Sequence, residues 1–555
     1  MRSSLVSAVL LLSGPFSLLP STASGQRASS SRDALDTAMA FELARSSGLK
    51  AEGYPAPYYV SLTAADIETQ ERVCAMGKTR YSADRRQRVL TPDIRVGSHE
   101  LDNHPVGMPG EMSGRSLPFE DDVFALRHGI WRLMDLAYKG ASADFLRKQA
   151  LRVSRGKAEY DFDDLSREES RVRAVVPDQA GWSFDRLEEL CLSGSRAFRA
   201  APWLHHAEVS AALSRERWRV RDTEGLAVDF PRDIAELELA AVDIATDGLK
   251  VSAGRRFLAS VEAGLPGPGA LEEEARTILS DLAELKVAVT TSPFDAPAVL
   301  DPSIVAAAVL SVGTRLSGEE QRNPSGTQVF REKLGTRVLS PILTLVDDPT
   351  LASFRGRPLL GSYAFDNQGV PGQRTVLIER GALKGFLLSR YPVRGFPRSN
   401  GHGRRAAGYL AVGAPGNLIL SASETVSEAR LLELLRKELK RRGKPYGLWV
   451  RKLEGFSQSH STGRQDALRV SARLVYMVDA ETGAKTLVRN LDVVCTPLTL
   501  MENILAAGER QEVTDLVAGV PVSVVAPSLL VSGVELQRSE AKPEKAPILP
   551  PPPVE

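Results

Sequence analysis

The order of two periodicities along the chain limits its fold most. Apolar residues recurring every second position mark strands, and those recurring every three to four mark helices. Here the two kinds of segment fall in separate groups rather than in regular strand–helix–strand alternation. Asp33–Leu49 has a helical pattern, and Pro57–Val60 opens a strand-rich region that runs through Arg95-Val96. Within Asp121–Lys148, Val123, Leu126, Ile130, Leu133, Met134 and Ala137 repeat at three and four and make one apolar face. Leu187–Phe198 is expected as a helix, Glu208–Leu213 and Arg217–Val220 as antiparallel strands, and Glu272–Leu285 as a further amphipathic helix. A boundary is expected near Thr291–Pro297, where Thr-Thr-Ser-Pro interrupts the pattern. Beyond it, Val376–Ile378, Phe386–Leu388 and Arg473–Val478 are expected as strands. Leu431, Leu435 and Leu439 line a helix with a Thr425-x-x-Glu428 capping box and a Gly443/Pro445 stop. The pattern predicts an α+β protein.

The chain's 555 residues suffice for two or more domains, and 43% hydrophobic with 25% charged residues is the balance of a folded soluble protein. Seventy Lys+Arg against 69 Asp+Glu leave a net charge of +1, which argues against a nucleic-acid partner. Three cysteines make neither a disulfide scaffold nor a four-thiolate metal site. Their odd number leaves at least one of Cys74, Cys191 and Cys495 unpaired within the chain.

The N-terminus has the layout of a secretory signal peptide over residues 1–25. Arg2 precedes an apolar run from Leu5 to Leu19, and small residues follow at Ser21–Gly25, with cleavage after Ala23 or Gly25. Gly14-Pro15 breaks the run, so no membrane anchor is expected. The mature protein is therefore expected outside the cytoplasm, periplasmic or extracellular. At the other end, a Pro-rich tail over 538–555 is expected as an extended arm.

His99-Glu100-Leu101-Asp102-Asn103-His104 fits H-E-x-x-x-H, in which two imidazoles bind zinc and the carboxylate activates water. The setting opposes that chemistry. The segment follows the strand-like Asp93–Val96 and runs into Pro105, and residues five apart lie about 140° from each other on a regular helix. A strand-to-loop corner is the preferred assignment. His205-His206 is adjacent on a strand, where neighbouring side chains face opposite ways; one buried and one exposed imidazole is expected. Asp347-Asp348-Pro349 is expected as a turn. Ser399–Arg405 contains Gly401, His402, Gly403 and two arginines, a loop able to approach a peptide or anion closely. No G-x-S-x-G elbow and no G-x-x-x-x-G-K-[ST] loop occurs.

Several motifs in fixed order resemble the TldD/PmbA family of metallopeptidase-related proteins. They are Leu360–Tyr363, Asp366–Val370, Val376–Gly385, Ser399–Arg405, Asn417-Leu418, Leu487–Asn490 and Ile504–Gly508, with Arg95-Val96-Gly97 in the first half. The resemblance implies a two-domain architecture: a mixed α/β N-terminal domain at 33–293 and a sheet-rich C-terminal domain at 294–537. It also implies dimers enclosing a peptide-accessible cavity. Residues Tyr363, Asp366, Asn400, Gly401, His402 and Arg404 become the candidates for a peptide cleft. Active members of the family carry H-E-x-x-x-H on a helix that opens the C-terminal domain. In this chain Val309, Leu310, Ser311, Val312, Gly313 and Thr314 stand there, and the family's later cysteine ligand is missing. Valine and leucine neither ligate zinc nor move protons.

The expectation is therefore no catalytic residue, no metal and no cofactor. The chain is expected to be a PmbA-like peptide-binding or partner subunit in peptide processing, as a homodimer or paired with a metal-bearing TldD-like chain. The alternatives are an active zinc metallopeptidase using His99, Glu100 and His104, and a stand-alone envelope binding protein.

Overall fold

Four strands of 17 to 19 residues dominate the first half. The structure, a computed structural model, describes residues 33–104, 113–155, 162–168, 173–176, 182–322, 329–458 and 467–539. The expected signal peptide and all but the first two residues of the expected Pro-rich tail lie outside these residues. Strand β1 (Pro57–Ala75) turns at Met76-Gly77, both at positive φ, into β2 (Lys78–Val96). On its other side β1 pairs antiparallel with β3 (His206–Asp222), which pairs with β4 (Ala227–Ile244) and that with β5 (Lys250–Ala259). The two short alternating segments expected at 208–220 are one continuous strand.

β3 changes its buried face midway, and this positions everything else. Ala207, Val209, Ala211 and Leu213 point to helices α3 (Phe184–Ala197) and α4 (Pro268–Val287). From Glu216 onward the opposite face is buried, through Trp218 and Val220, against the C-terminal half. The arginines left on the first face, Arg219 and Arg221, pair with Asp33 and Asp36 at the start of α1 (Ala34–Arg45). Helix α2 (Val123–Arg155) buries Leu126, Ile130 and Met134 of its predicted stripe, and Tyr138 beside them, over β1 and β2, while Val123, Leu133 and Ala137 are half-buried. Cys74 on β1 and Cys191 on α3 form a disulfide, and Cys495 is free. His205 is exposed and His206 half-buried, so neither is the buried imidazole expected of the pair.

The C-terminal sheet closes on itself. Strand β6 (Asp295–Leu300) pairs with β10 (Tyr446–Gln458), β10 with β11 (Leu468–Asp479), β11 with β12 (Leu491–Cys495), and β12 with β14 (Pro521–Arg538), which returns to β6. The first half of β14 carries a second arm: β13 (Ile504–Val517) on one side, and β9 (Asn417–Ala422) on the other, followed by β7 (Leu343–Asp347) and β8 (Thr375–Glu379). Helix α5 (Pro302–Arg315) packs across this sheet. Asp301 caps it, accepting from the Ser303 and Ile304 amides.

Two local expectations are corrected. Phe386–Leu388 is not a strand; after β8 the chain turns through Arg380 and Gly381, both at positive φ, and pairs back at Ala382-Leu383. Helix α6 (Glu428–Arg442) is capped by Ser427, which accepts from the Arg430 amide, rather than by Thr425. Its Leu431, Leu435 and Leu439 face and its left-handed Gly443 terminus follow the predicted pattern.

Candidate functional site

Strand alternation puts Leu343, Leu345 and Asp347 of β7 on one inward face, so the strand ends by delivering a carboxylate into the core. Asp347 is fully buried. It accepts from the Gly416 amide, and its Oδ1 lies 3.0 Å from His402 Nε2. The other ring nitrogen of His402, Nδ1, faces the backbone and side-chain oxygens of Asn400 at 3.0 and 2.9 Å. The Asn400 amide is oriented by donating to Phe386 O while its Oδ1 accepts from the Leu388 amide. Nδ1 must therefore be the donor toward Asn400.

Around this pair the remaining candidates converge. Tyr363 donates to Gly401 O at 2.9 Å, and the Arg404 guanidinium lies 4.9 Å from its ring. Arg404 donates to Pro415 O and Pro521 O; burial pushes its guanidinium down to about 10. Asp366 accepts the Gln368, Val370 and Gly403 amides, and burial nevertheless pushes its carboxyl up to about 6. Gly401 has φ +72°, and an added Cβ there would lie 2.0 Å from Pro371 O. All six candidates thus form one knot that fixes loop 399–405. Asp366, Gly401, His402 and Arg404 are buried, while Tyr363 and Asn400 keep partial access to solvent.

Sequence reasoning missed Asp347, His402's partner 55 residues away, because Asp-Asp-Pro was assigned to a turn. The signal available was the Leu343/Leu345/Asp347 alternation. Asn417, named by sequence reasoning only within the Asn417-Leu418 motif and not as a site candidate, donates through its amide to Asp348 O, Leu351 O and Ser362 Oγ.

The H-E-x-x-x-H match separates in space. Residues 98–102 form a corner, with Gly97 at φ +116° and reciprocal Ser98–Leu101 backbone bonds. His99 lies 3.3 Å from Glu224, Glu100 pairs with Arg167 at the surface, and His104 is enclosed beneath Tyr391. Among the described residues no three His, Cys, Asp or Glu side chains are grouped to hold a metal. On α5, Val309, Leu310, Ser311, Val312 and Gly313 are all buried, and Gly313 abuts Leu418. Cys495 is buried enough to push its thiol up to about 12.

Residues 293–538, which contain both α5 and the loop knot, match the family model described as the PmbA/TldA metallopeptidase C-terminal domain. This C-terminal domain belongs to the TldD/PmbA family. It is 38% identical over 124 residues to a metalloprotease TldD homolog of Haemophilus influenzae, covering 21% of this chain and 24% of that protein. Over 62 residues it is 47% identical to a metalloprotease of Methanocaldococcus jannaschii, 11% of this chain and 13% of the relative. These matches span less than a quarter of either relative's length. The crystal structure of TldE from Thermococcus kodakarensis superposes with a TM-score of 0.60 at 15% identity, covering 90% of this chain and 99% of that one. At that identity the likeness is one of fold, and the TldD/PmbA architecture accounts for the α+β class. No helix among the described residues is long and apolar enough to cross a membrane.

Proposed function

We propose that this TldD/PmbA-family protein is a non-catalytic subunit in peptide processing that binds peptide or pairs with a metal-bearing TldD-like chain. One observation carries the proposal: the α5 positions where the family's zinc motif would stand are buried aliphatic and small side chains. A cavity and a dimer surface can persist on a fold whose ligands are gone, because fold and chemistry are separable. Tyr363 and Asn400, the two knot residues with solvent access, are the ones through which a peptide is touched. The other four hold the loop beneath them.

The protein is exported in this proposal, as the N-terminal pattern predicts. The Cys74–Cys191 pair supports an oxidising compartment, since such bonds persist outside the cytoplasm. The test is metal content and native mass of the mature chain, isolated from the exported fraction and assayed for peptide hydrolysis. The expected result is a dimer-sized species that hydrolyses peptide only when a metal-bearing relative co-purifies. Stoichiometric zinc together with hydrolysis by the chain alone, both lost in His99→Ala/His104→Ala, would overturn it.

A further inference from the structure

The histidine motif takes no part in the loop knot, yet its second imidazole, His104, lies between the N-terminal and C-terminal halves. His104 is wholly enclosed. Its ring stacks on Tyr391 at 3.8 Å with 24° between the planes, and neither ring nitrogen has a hydrogen-bond partner among the described residues. Tyr391 comes from the C-terminal side and Arg95 from β2; Arg95 Nη2 donates to the Tyr391 hydroxyl at 2.5 Å. The stack therefore joins the two halves of the molecule directly.

Charged groups from each neighbouring segment surround this ring. Arg95 comes with Asp93 from β2, Lys148 from α2, Arg322 from beyond α5, and Asp102 and Asp164 from the adjoining loops; Tyr58 of β1 stands behind Asp102. The acidic members are already committed. Asp102 accepts from Tyr58 and the His104 amide, and Asp164 accepts from Lys148, Arg322 and the Asp102 amide. Asp93 holds Arg95. The cations are paired with these same carboxylates, and none of the described groups gives the imidazole an acceptor.

We propose that His104 is the trigger of an acid-released latch between the N-terminal and C-terminal sheets. Its neutral ring fits the stack on Tyr391, and a protonated ring finds no acceptor among the described residues. Burial, with Arg95, Arg322 and Lys148, holds its affinity for a proton well below the usual histidine range. Once the seam opens, the imidazole titrates near its ordinary value of about 6.5. The depressed folded value means that the closure contribution is complete above about pH 6.5 and is lost as pH falls below it, roughly tenfold per pH unit in the opening equilibrium. Asp102, Asp222 and Asp366 are shifted upward and act in the opposite sense, so the latch is read by comparing proteins that differ only at His104.

His104→Phe keeps the stack and gives up no hydrogen bond. In the full mature chain, hydrogen-exchange opening constants corrected for intrinsic rates are measured at pH 7.5 and 4.5. The wild-type to His104→Phe ratio at residues 94–104 and 388–391 is expected to rise roughly a hundredfold between these pH values. The same ratio in β10 and β11 is expected to stay constant. Parallel pH profiles at the seam for the two proteins overturn the latch. Should His104→Phe not fold, the wild-type ring is followed by nitrogen NMR. A ring that stays neutral in the closed protein down to pH 4.5 supports the proposal, and one that titrates near 6.5 without opening overturns it.

Discussion

His402 Nε2 and Asp347 Oδ1 meet at 3.0 Å with both side chains fully enclosed, joining loop 399–405 to the end of β7. Removing one member leaves the other buried beside groups that already have partners. His402→Ala is expected to cost about 3–5 kcal/mol of unfolding free energy, the usual penalty for breaking a buried pair. Urea denaturation checks this, and a loss under about 1 kcal/mol would mean that the pair does not hold the loop.

Gly401 tests the loop's backbone independently. Its left-handed φ and the 2.0 Å approach to Pro371 O leave no room for a side chain. Gly401→Val is expected to lose at least about 1–3 kcal/mol from backbone strain alone, with the clash added. Thermal melts of wild type and variant measure it; a variant as stable as the parent removes the geometric argument.

The Cys74–Cys191 bond ties β1 to α3 across a sequence separation of 117 residues. Replacing both with serine is expected to cost about 2–5 kcal/mol and to lower the melting temperature. The reductant-treated wild type should melt with the double variant. If reductant leaves the melting curve unmoved, the bond contributes nothing to stability.

Asp366 supplies a pH dependence with a definite sign. Its carboxyl is raised to about 6 by burial, so the folded protein holds a proton that the unfolded chain releases near 3.8. The associated stability is complete below about pH 3.8 and is lost as pH rises through 6, roughly 3 kcal/mol in all. Asp366→Asn stays neutral throughout. Wild type is therefore expected to lose stability relative to Asp366→Asn between pH 4 and 7.5, measured by denaturant titration at each pH. A difference that is flat with pH contradicts the assignment.

Legibility in the sequence followed the range of the interaction. The α2 stripe and the α6 face with Gly443 depend on residues within a few turns of one another, and the pattern displays them. The six loop candidates were found through motif order and do converge in space. What escaped was set by distant packing. Nothing local pairs Cys74 with Cys191, or Asp347 with His402. The switch of β3's buried face after Ser214 needs the C-terminal half to be present before it means anything. Phe386–Leu388 is a short continuous apolar run of the kind a buried strand presents, but here an irregular segment buries all three side chains.

Strand β14 completes the five-strand ring and also carries the arm made by β13, β9, β7 and β8. It is synthesised after every one of its neighbours. Until it emerges, β6 and β12 each lack a neighbour and the C-terminal half has no finished interior. Both the ring and the arm therefore wait on the docking of one strand.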